Sequence, residues 1–143
     1  MNEIKEILNR NLINSHIDKV TYYITGWELH FISDKAECVL SAAEIELANN
    51  FDWSNLLNNS PIDLTDTNEQ EDTLNAIAIF TIVNKHKVKM IELDSANNLI
   101  LRFNNSINLR IKSQVEMIDW TYHLTDNKEN KTITCDSGKL YVK

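Results

Sequence analysis

Four histidines and two cysteines are the side chains of this chain best suited to metal binding, acid–base work or nucleophilic attack: His16, His30, His86, His123, Cys38 and Cys135. Their spacing argues against each use. No second His or Cys stands at ligand spacing from His16 or His86, as a zinc site requires. His16 and His86 instead read as turn histidines at matching strand starts, and alternation turns His30 toward solvent. The cysteines lack CxxC spacing and read as buried, reduced strand residues rather than a disulfide. No nucleophile elbow or Ser-x-x-Lys box occurs. With Gly26 and Gly138 the only glycines, no phosphate-cradling loop can be built. Two Asp-Trp pairs, Asp52-Trp53 and Asp119-Trp120, place a carboxylate beside an aromatic wall. The commoner meaning of such a pair is a polar element end beside a core aromatic, so Trp27, Trp53 and Trp120 are all read as core. Tyr22 and Tyr23 are adjacent in a strand, so one of them must face outward; Tyr23 is taken as the contact candidate.

The elements that would position these residues fall into two similar halves. Ile4, Ile7, Leu8, Leu12 and Ile13 carry helical spacing, and Leu74, Ile77, Ala78, Ile82 and Val83 repeat it seventy residues on. The second helix is expected to start near Thr67, with Gln70 completing a capping box. A strand follows each helix, over 16–24 and 85–93. Then Trp27, Leu29 and Phe31 share one strand face, matched by Leu99, Leu101 and Phe103. Third strands are expected over 37–40 and 107–111. Ser41-x-x-Glu44 and Ser113-x-x-Glu116 both read as capping boxes opening further helices. A terminal hairpin over 131–135 and 139–142 turns at Asp136-Ser137-Gly138. The expected fold is α+β: internally duplicated units of one helix plus an antiparallel β-meander, packed as one domain with approximate two-fold symmetry, and a C-terminal β-hairpin. Its parts are repeat 1 over about 1–54, a linker over 55–66 containing Pro61, repeat 2 over about 67–121, and the hairpin over 131–143. A chain of 143 residues is long enough to bury a core without staples.

Charge is distributed unevenly. Between Ala36 and Asn84 there are nine acids and no Lys or Arg, while the other 94 residues hold 12 acids and 14 bases. Acids in a helix first turn gain about 0.3–1 kcal/mol each from the dipole, which accounts for two or three of the nine. A single-sign surface also steers an oppositely charged partner. Glu44, Glu46, Asp63, Asp66, Glu69, Glu71 and Asp72, with Tyr23, are therefore the candidate partner-binding residues. Direct nucleic-acid binding is disfavoured, because phosphate neutralisation needs clustered Lys and Arg. No run approaches the roughly 20 apolar residues of a membrane helix, and the polar start does not read as a secretory signal, so a cytoplasmic location is expected.

Leu12-Ile13-x-x-x-Ile17-x-x-Val20, Gly26-Trp27-Glu28-Leu29-His30-Phe31, the late Trp120 and the Cys135–Val142 hairpin resemble small bacterial immunity proteins of polymorphic-toxin and contact-dependent growth-inhibition systems. The tandem copy departs from that pattern. The resemblance implies a protein that neutralises a cognate toxin by binding it, with no catalytic residue, cofactor or metal. Many such toxins are nucleases with basic clefts, which the acidic surface suits. The chain is thus expected to be non-enzymatic, a monomer or homodimer, with a basic toxin as partner and neither membrane nor nucleic acid bound directly. The alternatives are a small carboxylate-using hydrolase working at Asp52 or Asp119, and a non-toxin adaptor or homodimerisation domain using the edge of the C-terminal hairpin.

Overall fold

The apolar spacing at the start of the chain produces a helix whose inner stripe is buried. In the computed structural model, which describes residues 1–23, 25–47, 85–104 and 107–143, α1 spans Asn2–Leu12. Ile4, Ile7, Leu8, Asn11 and Leu12 are its buried residues, on one face because they recur at three- and four-residue steps. Burying each such aliphatic side chain contributes about 1.5–3 kcal/mol. The helix ends as Ile13 turns extended and Asn14 takes a φ of 62°, a left-handed angle that Asn tolerates.

Ten strands accompany the helix among the described residues: β1 (His16–Tyr23), β2 (Gly26–Ile32), β3 (Glu37–Ala42), β4 (Ile45–Leu47), β5 (Val88–Leu93), β6 (Leu99–Phe103), β7 (Asn108–Ile111), β8 (Trp120–Asp126), β9 (Lys131–Asp136) and β10 (Lys139–Val142). Among the described residues the fold is therefore mainly antiparallel β with one short helix. A six-stranded sheet runs β1-β2-β3-β8-β9-β10 and a four-stranded sheet runs β4-β7-β6-β5. Leu29, Phe31, Leu40, Tyr122 and Leu124 from the first sheet join Leu99, Leu101, Leu109 and Ile111 from the second in one core. The faces inferred from alternation for β2 and β6 are those buried: Trp27, Leu29 and Phe31, and Leu99, Leu101 and Phe103.

The chain changes sheets twice. After β3 it crosses to the smaller sheet, where β4 pairs with β7; after β7 it crosses back, where β8 pairs with β3. Backbone bonds hold the crossings together, Ala43 N–H to the Thr121 carbonyl at 2.7 Å and Lys112 N–H to the Glu44 carbonyl at 3.1 Å. Each three-strand meander thus takes its fourth strand from the other half of the chain. Gly26 sits where this crossing is tightest. Its φ is 147°, and a Cβ there would stand 2.3 Å from the Ala42 carbonyl oxygen.

The helix is tied to β8 by a buried carboxylate. Asp126 accepts from Arg10 at 2.7 Å and from the Asn11 amide at 3.0 Å, while the Lys128 and Glu129 N–H groups donate to its other oxygen at 2.9 and 3.2 Å. Burial pushes this acid's pKa up, but the Asn11, Arg10 and backbone donors outweigh it and hold the group down at about 2.

Two local expectations fail against long-range pairing. Ser41 and Glu44 open no helix: Ser41 lies within β3, paired with Glu28 and His123, and Glu44 lies between β3 and β4. Ser113 caps nothing either. Its hydroxyl donates to the Ala96 carbonyl at 2.6 Å and its N–H to Asn98 Oδ1 at 2.9 Å, locking the β5–β6 turn. A capping box contributes about 1 kcal/mol to a helix, less than the cross-strand ladder and core burial that claim the same residues. The helix start near Thr67, the linker, Asp52 and Trp53 lie outside the described residues.

Candidate binding face

The outward residues of the six-stranded sheet line up strand by strand. One row runs Thr21, Glu28, Ser41, His123, Thr134 and Tyr141; the next runs Lys19, His30, Val39, Thr125 and Thr132. Five inter-strand steps make this face roughly 24 Å wide. Its two central strands present Ser41, Val39, His123 and Thr125, and three large aromatics are exposed: Tyr23 at 51%, Trp120 at 40% and Tyr141 at 47%.

Trp120 reaches this face because of an irregularity in β8. Simple alternation would place it with Tyr122 and Leu124, inside the core. The pairing of β8 with β9 shifts register between Trp120 and Tyr122, and Thr121 and Tyr122 are both fully buried. That bulge turns Trp120 outward, against His123 with ring centres 5.6 Å apart. The expectation that Trp120 is core is thereby corrected, whereas Trp27 is core at 4% exposure. Tyr22 is partly exposed as well, and its ring leans on Trp27 at 4.9 Å.

Charge on this face is modest. His30 meets Glu28 at 2.7 Å, both side chains half-buried. Burial lowers the pKa of His123, opposed by the nearby charge of Glu28, so its imidazole is held toward the neutral form. The outer face of the smaller sheet is different, because ion pairs cross it: Arg102 with Glu92 at 2.9 Å, Arg110 with Glu46 at 2.8 Å, and Lys112 with Glu44 at 3.3 Å. Side chains already paired with one another offer little to a partner, so the six-stranded sheet presents the more available face.

These pairs bear on the acidic residues singled out from sequence. Glu44 and Glu46 lie next to β4 and within it, neutralised by Lys112 and Arg110, and are not free anionic contacts. Asp63, Asp66, Glu69, Glu71 and Asp72 lie outside the described residues, and Tyr23 stands exposed at the end of β1. The described residues carry 15 acids and 14 bases, so the acidic excess belongs to 48–84, with six acids and no base.

The remaining reactive side chains are placed for structure. Cys38 and Cys135 are free and fully buried in β3 and β9. Burial, with the charges of Asp126 and Glu37 adding to it, pushes the Cys38 thiol up to about 12, where it is a poor nucleophile. His16 opens β1, but His86 precedes β5. Since Ile17 pairs with Phe31 as Val88 pairs with Phe103, His86 aligns with Ser15, one position away from the expected match. Asp119 is exposed at a turn, its carbonyl accepting the Ser137 N–H at 2.7 Å. A cleft of about 270 Å³ is lined by Arg10, His16, Lys35, Lys87 and Asp34 among others. Arg10 there is already engaged by Asp126 and Glu129. Among the described residues no three His, Cys, Asp or Glu side chains gather as a metal site would require, and no helix is long and apolar enough to cross a membrane.

Sequence and structure comparisons place no relative beside this chain: no family model matches it, and neither a curated protein nor a solved structure does.

Proposed function

We propose that this chain is a cytoplasmic immunity-type protein that neutralises a toxin by occupying it, with the outer face of the six-stranded sheet as its docking surface. The observation that carries the reading is the exposure of Trp120, Tyr23 and Tyr141 around a face that no ion-pair ladder seals. Exposed Trp and Tyr are the side chains that most often dominate protein–protein affinity. They also lose little conformational freedom on docking. A face about 24 Å wide suits a standard interface of roughly 1,200–2,000 Å² in total. The charge part of the proposal, attraction of a basic nuclease-type toxin, rests on the six acids and no base of 48–84, since Glu44 and Glu46 are spent on internal pairs.

A common origin of the two halves belongs to the same reading and is supported by register. Both meanders insert one extra residue at the same step of the first strand, Asp18 in β1 and Lys89 in β5. Leu29 pairs with Leu40 and Leu40 with Leu124; likewise Leu101 pairs with Leu109 and Leu109 with Leu47. The exchange of β4 and β8 between halves is then an intramolecular strand swap of two ancestral units.

Co-purification with the product of the adjoining gene tests the function. The Trp120→Ala/Tyr23→Ala pair is expected to lose that complex and the protection of cells expressing the toxin, while remaining folded by circular dichroism. Reversing charge at Asp66, Glu69 and Asp72 is expected to slow association and flatten its salt dependence. A folded aromatic double variant that still protects cells overturns the docking face.

A further inference from the structure

The edges of the two sheets are not equally protected against pairing. β1 and β5 each bulge at an exposed charged residue, Asp18 and Lys89. Bulges, charges and short length are the usual ways an edge strand is kept from pairing with other chains. The edge strand β10 also is short and carries exposed lysines, but it has no bulge: its register with β9 is unbroken over Lys139–Val142. Beyond it, Lys143 and Thr132 exchange both backbone bonds at 2.9 Å. Antiparallel ladders alternate bonded and non-bonded pairs. Tyr141 and Lys139 therefore bond inward to β9, and the N–H and C=O groups of Leu140 and Val142 point outward. Among the described residues nothing pairs with those four groups. Leu140 and Val142 are half-buried at the margin of the core, while Lys139, Tyr141 and Lys143 are exposed on the opposite face.

We propose that β10 is a docking edge for an extended segment of another protein, one that reads acidic, apolar, any residue, apolar, acidic. Such a strand supplies backbone partners for Leu140 and Val142 and extends the core with its two apolar side chains. Its acids come to lie across from Lys139 and Lys143. Neither lysine has an ion pair among the described residues; Asp136 is opposite Lys139 on β9 but bonds only Ser137, at 3.4 Å. The same two lysines argue against full overlap of β10 with the β10 of a second copy. Antiparallel self-pairing about Tyr141 sets Lys139 of one copy against Lys143 of the other, and like charges directly across a ladder are destabilising. The inference does not depend on the partner of the sheet face being a toxin.

The test uses the full chain and two fluorescent peptides of alternating threonine and valine, one with glutamates and one with lysines at the two flanking positions. By anisotropy the glutamate peptide should bind at least about 10-fold more tightly than the lysine peptide, a difference of about 1.4 kcal/mol. Its binding should weaken with salt, and the amides of Leu140 and Val142 should gain protection from exchange. Leu140→Pro removes an outward donor and replaces a half-buried side chain by a smaller apolar one, and should lose the peptide while keeping the wild-type circular dichroism spectrum. The Lys139→Glu/Lys143→Glu pair, at exposed positions, should invert the preference. Equal binding of the two peptides, no binding of either, or an unchanged preference in the charge-reversed pair overturns the proposal. So does self-association of the wild type that Leu140→Pro abolishes. Loss of toxin protection in the Trp120 and Tyr23 variants leaves it untouched.

Discussion

Replacing Asp126 with Asn isolates the electrostatic link between α1 and β8. The Asp126 side chain is 1% exposed, so its interactions are little screened by water, although Arg10 is itself partly solvated. Its pKa falls from 3.8 to about 2 on folding, and each unit is worth about 1.4 kcal/mol, giving roughly 2–2.5 kcal/mol. The sign follows from proton counting. A carboxyl whose folded pKa is depressed adds stability that is fully present above its unfolded pKa and is lost as pH falls through the folded value. Wild type should therefore lose this stability progressively from about pH 5 down to about pH 2. Asp126→Asn keeps the volume and can still accept from the Lys128 and Glu129 N–H groups, but it brings donors against Arg10 and Asn11. It should be less stable than wild type by about 2–3 kcal/mol at pH 7. Below pH 2 the two proteins should converge, because wild type is then mostly protonated as well. Urea denaturation at pH 7, 5, 4 and 3 measures this directly through the midpoint and slope. If the variant shows the same fall in stability between pH 5 and 3 as wild type, Asp126 is not the titrating link and the reasoning fails.

Three other perturbations test the architecture around the binding face. Gly26→Ala sets a Cβ 2.3 Å from the Ala42 carbonyl and should destabilise by roughly 2 kcal/mol or more, read as a lowered thermal midpoint. Trp27→Ala should cost about 3–5 kcal/mol and Trp120→Ala under about 1 kcal/mol in denaturant unfolding, because only the first opens a cavity. Both cysteines should resist an aromatic disulfide reagent in native buffer and react fully in guanidinium, since both are fully buried; rapid reaction of the native protein would contradict their placement.

Much of the strand pattern was legible from residue order. The faces of β2 and β6, the inner stripe of α1, and the C-terminal hairpin all follow from local periodicity. The hairpin turn has Ser137 and Gly138 at φ 48° and 82°, the paired positive angles that a two-residue turn requires. Local signal points the wrong way where tertiary pairing claims the same residues. The two Ser-x-x-Glu boxes look like helix starts, yet one Ser is committed to a strand ladder and the other to a neighbouring turn. The acidity of Glu44 and Glu46 looked like free surface charge because their cationic partners, Arg110 and Lys112, stand more than sixty residues away.

Periodicity and composition set which residues seek the interior, where turns fall, and that acids crowd into one third of the chain, because those properties belong to single residues and near neighbours. Folding settled which strand lies beside which, that each meander borrows its fourth strand from the other half, and that one bulge at Thr121 carries Trp120 from the core to the surface. Such outcomes depend on backbone bonds between distant segments, and their energies do not exist until those segments meet.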